Sequence, residues 1–271
     1  MPALVFSSIA IQRPDQMYTL GTPAALALIG LGGTAVLSAA ITRAGKMDRE
    51  KSAAIFLNAS FMNYTFLGLA VVYAVVGILP GATGISGVGV ASIYAVAMGV
   101  VHLTVGVALA AGGLKKRISI RKVTLGILTF PAAFALIVAL IFVSFDVTFP
   151  IWTQSWVDKF ANPAVVLMLL AAGYKMPLVD PRKYLSPLVT VGAIRLIACP
   201  LVTLGAIKLL GVSGTVAHSA LILSCMPPGV FNLILAQRFG LDLRMYGALV
   251  FYLTLVSLFV AVPMVVFLGI V

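Results

Sequence analysis

Charge is scarce in this chain: Asp, Glu, Lys and Arg make up 9% of its 271 residues, and only seven are acidic. No carboxylate falls in the middle of an apolar segment, so the embedded acid pair of a cation–proton exchanger is missing, as are the paired aspartates of an intramembrane protease. Histidine and cysteine are equally sparse, two of each, without metal-ligand spacing. Cys199 and Cys225 both lie in apolar segments and are expected to be reduced packing residues. Ser224 has no arguable geometry to His102 or His218 as a catalytic dyad. Nucleotide loops are absent too: Gly30, Gly32 and Gly33 sit inside an apolar helix, where small residues signal close packing. No enzyme reading is supported, no cofactor or metal is expected, and any transport must run on gradients or be facilitative. The apolar start lacks the basic flank and small-residue cleavage site of a signal peptide.

What is present is hydrocarbon. Hydrophobic residues are 62% of the chain and mean hydropathy is +1.15. Apolar runs long enough to cross a bilayer recur, which predicts a polytopic all-α integral membrane protein. The expected segments are 18–42, 51–76, 84–112, 122–145, 160–174, 184–210, 215–237 and 244–270, preceded by an apolar half span at 1–10. The net charge of +11 would suggest nucleic acid in a soluble chain. Here the basic residues crowd into alternate short loops, so no nucleic-acid partner is expected. Loops 43–51, 114–122, 175–183 and 238–244 are basic and those between them nearly bare. The positive-inside rule puts these four in the cytoplasm, as expected of a multi-pass protein of the cell membrane. Trp152 and Trp156 read as interface anchors ahead of the short segment 160–174.

One stretch organises the rest. Residues 217–240 could span a bilayer, yet Met226-Pro227-Pro228-Gly229 lies at the centre. Two prolines remove two backbone donors and clash with the preceding turn, so a break is predicted there. At bilayer depth a broken backbone is tolerated only when buried in protein or lining a polar cavity. The reading is a solute site with Asn232 one turn on, against a kinked packing helix.

Three weak sequence matches then fall in register. Met1–Val5 resembles Asn162–Val166, Tyr18–Pro23 resembles Tyr184–Pro187, and Ser52–Ile55 resembles Ser219–Ile222, at separations of 161–167 residues. With the loop charges, the two copies cross in opposite senses. Inverted repeats are thus expected over 1–112 and 122–271, with a site where two discontinuous helices meet. The partner of the proline break is then 51–76, which carries Asn58, Ser60, Asn63, Thr65 and Gly68. Mid-membrane asparagines are costly unless they meet one another, backbone or solute, so these are either interhelical glue or a binding site.

Arg195 is the one charged residue near the centre of its span. It is either a counter-charge for an anionic solute or a donor to carbonyls freed by a broken helix. His102 and His218 are read as packing residues or proton carriers, and Lys208 as an interface anchor.

The motifs resemble those of the auxin efflux carrier family. Asn63-Tyr64-Thr65-Phe66-Leu67-Gly68 is similar to the N-x-x-F-L-G signature of its fourth helix, and Met226-Pro227-Pro228 with Asn232 and Ala236 to the M-P-P motif of its ninth. Arg195 through Pro200 resembles the basic-then-proline pattern of the eighth, and Met1–Phe6 the L-P-A-L-I-F core of the second. The likeness spans the chain but begins inside the second helix, so the first helix and half of the second have no counterpart. It implies two inverted repeats and a crossover of two broken helices that holds a small organic anion, with Asn63, Thr65, Pro227, Pro228 and Asn232 lining the site and Asn58 nearby. Expected partners are that anion and the lipid bilayer. Repeat carriers of this kind often form a homodimer, although no residue here marks it. The rival readings are a sodium-coupled symporter of the bile-acid type and a non-transporting membrane subunit.

Overall fold

The computed structural model describes residues 21–77, 85–113, 131–145 and 179–267, together with Phe6, Trp156, Lys159, Pro163, Val166, Leu167, Leu170 and Tyr174. Apart from Phe6, the half span 1–10 lies outside them, as do loop 114–122, most of 146–178, most of the first repeat match and residues 18–20 of the second. The described residues form helices joined by short turns and irregular stretches, and Met62 pairs with Pro228 in an isolated bridge. In chain order the helices are α1 (Gly21–Ala44), α2 (Arg49–Ser60), α3 (Leu69–Val75), α4 (Gly87–Val101), α5 (Val107–Gly113) and α6 (Pro131–Ser144). The second half holds α7 (Leu185–Gly192), α8 (Cys199–Leu209), α9 (Gly214–Ser224), α10 (Val230–Phe239), α11 (Leu243–Val256) and α12 (Val262–Phe267).

Among the described residues, four continuous helical stretches are long and apolar enough to cross a bilayer: Gly21–Ala44, Gly87–Ala110, Pro181–Leu209 and Leu243–Phe267. The shortest of them, at 24 residues, extends about 36 Å at the α-helical rise, which covers the hydrocarbon layer. Their outward faces carry Val36, Val189, Leu201 and Phe259, all largely exposed, while the polar groups turn inward. This is the distribution that a lipid solvent selects.

Small residues set the packing. Beside Gly30 lie the side chains of Thr203, Cys199 and Tyr94, and beside Gly33 lies Val202, so α1 and α8 approach closely as the glycine pattern predicts; Gly32 faces open space. The buried hydroxyls of Thr34, Ser38 and Thr42 each donate to the carbonyl four residues back, which satisfies them without a partner helix.

Two spans are interrupted. The first runs α2, a break at 61–63, a π-turn at Tyr64–Gly68, then α3; the second runs α9, a break at 225–229, then α10. Glu50 Oε1 accepts the Asp242 backbone N–H at 3.0 Å, tying the start of α2 to the loop after α10. Loops 43–51 and 238–244 therefore lie at one end of the bundle, as their shared basic character predicts.

Candidate functional site: the crossing of two broken helices

The interruptions meet. Met62 and Pro228 pair as an antiparallel bridge. The Asn63 N–H donates to the Pro227 carbonyl at 2.7 Å, and the Gly229 N–H to the Phe61 carbonyl at 2.9 Å. Prolines cannot donate, so the backbone freed by Pro227 and Pro228 is matched by the second broken chain rather than by its own helix. A Cβ at Gly229 would stand 2.9 Å from the Met62 carbonyl oxygen, so only glycine permits this approach.

Two helices, α2 and α9, end at the crossing, and a helix C-terminus presents unpaired carbonyls and a partial negative charge. Arg195 lies between them, 1% exposed. Its Nη1 donates to the carbonyls of Ala59 (3.3 Å) and Ser60 (3.4 Å) on α2, and its Nη2 to the Ser224 carbonyl on α9 (2.9 Å) and to Cys199 Sγ (2.6 Å). Of the two roles open for Arg195, the geometry displays the second: the guanidinium neutralises two helix ends and holds them together. Its Nε–H is buried without a partner among the described residues.

The other two helix ends at the crossing are N-termini, where the dipole favours negative charge. Asn63 caps one of them: its Oδ1 accepts from the N–H groups of Phe66 (3.2 Å) and Leu67 (3.3 Å). That fixes the amide orientation and leaves the Nδ2 group buried with no acceptor among the described residues. Asn232 lies in the first turn of α10, fully buried, and its Nδ2 donates to the Leu57 carbonyl, Asn58 Oδ1 and the Phe61 carbonyl at 3.2–3.3 Å. The Asn58 amide in turn donates to the Ala54 carbonyl at 2.9 Å. Asn58 and Asn232 thus meet each other and backbone. Thr65 is half-buried just past the first break, and Pro227 and Pro228 form the strand-like edge of the second.

The structure adds His102, which the sequence offered only as a packing residue or proton carrier. It is fully buried, stacked on Phe61 with ring centroids 4.2 Å apart, and edge-on to Phe231 at 4.9 Å. Its Nε2 lies 2.8 Å from Asn232 Oδ1 and its Nδ1 3.3 Å from the Tyr64 hydroxyl. Gly106 leaves room for the ring, since a Cβ there would come within 2.5 Å of His102 Cδ2. His218, by contrast, is exposed and bonds the Gly214 carbonyl of its own helix.

A shared local device aims these groups. Four π-turns occur among the described residues: Tyr64–Gly68, His102–Gly106, Ala193–Ala198 and Ser257–Ala261. Each contributes one polar side chain to the crossing or its surroundings, namely Tyr64, His102, Arg195 and Ser257. Ser257 Oγ donates to the Cys225 carbonyl, freed by the second break, at 2.7 Å. A π-turn accommodates one additional residue, which rotates the succeeding turns by about 100° on the helix wheel.

Geometry of this kind, two interrupted spans bonded back to back inside an apolar bundle, belongs to membrane carriers. A family model described as membrane transport protein matches residues 1–266. The chain belongs to this family. It is the auxin efflux carrier grouping that the motifs at 63–68 and 226–232 resemble, and it is a family of transporters rather than of enzymes. No curated protein matches the chain.

Proposed function

We propose that this transporter carries a small organic anion, a carboxylate, by secondary transport, with the crossing as its binding centre. The observation that carries this reading is the kind of hydrogen-bonding capacity left over there. Asn63 Nδ2 and Arg195 Nε are buried donors without acceptors among the described residues. Buried donors are costly to leave unmade, and a carboxylate oxygen is the acceptor that matches them. The two N-termini at the crossing add favourable potential for the same charge. A sodium ion requires oxygen ligands and gains nothing from N–H groups, so the bile-acid type of coupling draws no support from this set. Ser60 Oγ, also buried without a partner among them, suits either kind of guest.

In this reading Asn63 contacts the anion directly. Thr65, Pro227 and Pro228 shape the cavity that opens on either side of the crossing, and Asn58 and Asn232 hold the two breaks in register. Arg195 keeps the helix ends together and offers its Nε–H as the guest enters. Alternating access then moves the crossing as one unit, because the backbone bonds across it join the two broken spans to each other. The two-repeat division at 1–112 and 122–271 belongs to the same proposal. Its support is the antiparallel crossing and the paired π-turns at His102–Gly106 and Ser257–Ala261, both in the span that follows a broken helix by one loop. Placement in the cell membrane with several crossings, and pairing into a homodimer, are further parts of the reading.

The test is counterflow in proteoliposomes loaded with malate, malonate or indole acetate, with and without sodium. Sodium-independent exchange of one of these acids, lost in Asn232→Ala, is the expected result. Strict sodium dependence would favour the bile-acid type. Folded protein that moves none of a broad panel of organic anions would favour a non-transporting subunit.

A further inference from the structure

A second feature lies at the end of the bundle where α1 turns into α2. A cavity of about 680 Å³ opens there, lined by the end of α1, the start of α2 and α5. Arg43, Lys46 and Arg49 form its charged part, with Thr42 and Ser52 beside them, while Ala53, Phe56 and Leu109 are among its apolar lining. No carboxylate lines it among the described residues. The two nearest in sequence are engaged elsewhere: Asp48 caps α2 through the Lys51 N–H, and Glu50 holds the Asp242 N–H.

The cavity is amphiphilic along the membrane normal. Phe56 lies seven residues beyond Arg49, so apolar lining continues about 10 Å deeper than the cations. Arg43 ends a membrane-length helix, which sets the cations at headgroup level. The turn that carries them is also fixed. The Met47 N–H bonds the Thr42 carbonyl and the Lys46 N–H the Arg43 carbonyl, which forces Lys46 into the left-handed region at φ 46°. This C-terminal motif normally takes glycine. A lysine there keeps a cation in place at a conformational cost.

We propose that this cavity is a binding site for a phosphoryl anion bearing an apolar tail, namely the headgroup of an anionic phospholipid. Three cations with no carboxylate among the described lining residues select the negative phosphoryl group, and the apolar wall takes the first part of the acyl region. A free phosphate compound shares the headgroup chemistry but leaves that wall exposed to water.

The experiment is native mass spectrometry of the purified full chain with phosphatidylglycerol or phosphatidylcholine, with glycerol 3-phosphate as soluble competitor. Preferential retention of phosphatidylglycerol is expected. Lys46→Gly is expected to weaken it roughly fivefold and the Arg43→Gln, Lys46→Gly, Arg49→Gln triple variant on the order of a hundredfold. Lys46→Gly also relieves the left-handed residue, so it lowers retention without lowering the melting temperature. Equal retention of both lipids, or retention unchanged in both variants, would overturn the site. Displacement by glycerol 3-phosphate at concentrations near those of the lipid would overturn the lipid as its occupant and assign a free phosphate compound.

Discussion

His102 Nε2 and Asn232 Oδ1 stand 2.8 Å apart, and the partners around them decide who donates. The Asn232 amide nitrogen faces only acceptors, the Leu57 and Phe61 carbonyls and Asn58 Oδ1, so its oxygen is the atom turned to the imidazole. His102 therefore donates from Nε2. In the neutral ring Nδ1 then accepts the Tyr64 hydroxyl hydrogen. One directed chain runs from Tyr64 through His102 and Asn232 to the carbonyls that end α2, linking three spans.

That chain predicts an ordering of variants. His102→Leu leaves Asn232 Oδ1 buried without the imidazole donor and removes the acceptor of the Tyr64 hydroxyl hydrogen, which costs about 2–6 kcal/mol at about 1–3 kcal/mol per group. His102→Gln can supply an N–H to Asn232 and is expected to retain more than half of that stability. Thermal unfolding in detergent checks the order. Equal melting temperatures for the wild type and His102→Leu would remove the chain from any structural role.

Much of this fold is legible in the sequence because lipid imposes strict rules. The interrupted span at 214–239 follows from Pro227-Pro228-Gly229, and its partner, 51–76, from the register of the repeat matches, with Asn58 and Asn63 standing in that apolar run. Arg195 stands out as a central charge, but its two readings differ only in which acceptors lie near it, a tertiary fact. The repeat separation places neither Met62 against Pro228 nor Arg195 between α2 and α9. His102 is the larger omission. A histidine in an apolar helix carries no directional signal, and the π-turn that aims it leaves the hydrophobic pattern almost unchanged. One cue is present: Gly106, four residues on, clears the space the ring occupies.

Arg195 should be intolerant of neutral replacement. Arg195→Met strands the Ala59, Ser60 and Ser224 carbonyls and leaves two helix C-termini facing each other without a cation. The loss is expected to be about 3 kcal/mol or more, by comparison with breaking other buried charge pairings. Arg195→Lys keeps the charge but cannot fork to both helices, so it should fall between the two. Monodispersity and melting temperature after purification provide the readout. An Arg195→Met protein as stable as wild type would show that the helix ends need no cation.

Gly229 tests the close approach of the two chains. Its missing Cβ would meet backbone, the Met62 carbonyl at 2.9 Å, rather than a side chain that can move. Gly229→Ala must therefore push the breaks apart, at about 1–3 kcal/mol as for other overpacked sites. Gly32 and Gly205 have open space where a Cβ would stand. Alanine at either should leave the melting temperature within about a degree or raise it, since a helix prefers alanine to glycine. A neutral Gly229→Ala would mean that the crossing is looser than these contacts imply.

Asn63 offers the cleanest separation of folding from binding. Its oxygen caps the helix beyond the first break, while its amide nitrogen has no partner among the described residues. Asn63→Ser keeps a good capping oxygen and removes the outward donor. Serine and asparagine are near-equal caps, so stability should change by less than about 1 kcal/mol. Transport should change far more. A hydrogen bond from a neutral donor to a charged acceptor contributes about 1.5–3 kcal/mol, so the half-saturating solute concentration is expected to rise at least tenfold. Asn63→Ala loses both functions and should fall in melting temperature as well as in affinity. If Asn63→Ser instead transports with unchanged affinity while Asn63→Ala merely unfolds, the free amide does not face the solute. The anion would then bind through the other buried groups left without partners among the described residues at the crossing, Arg195 Nε and Ser60 Oγ.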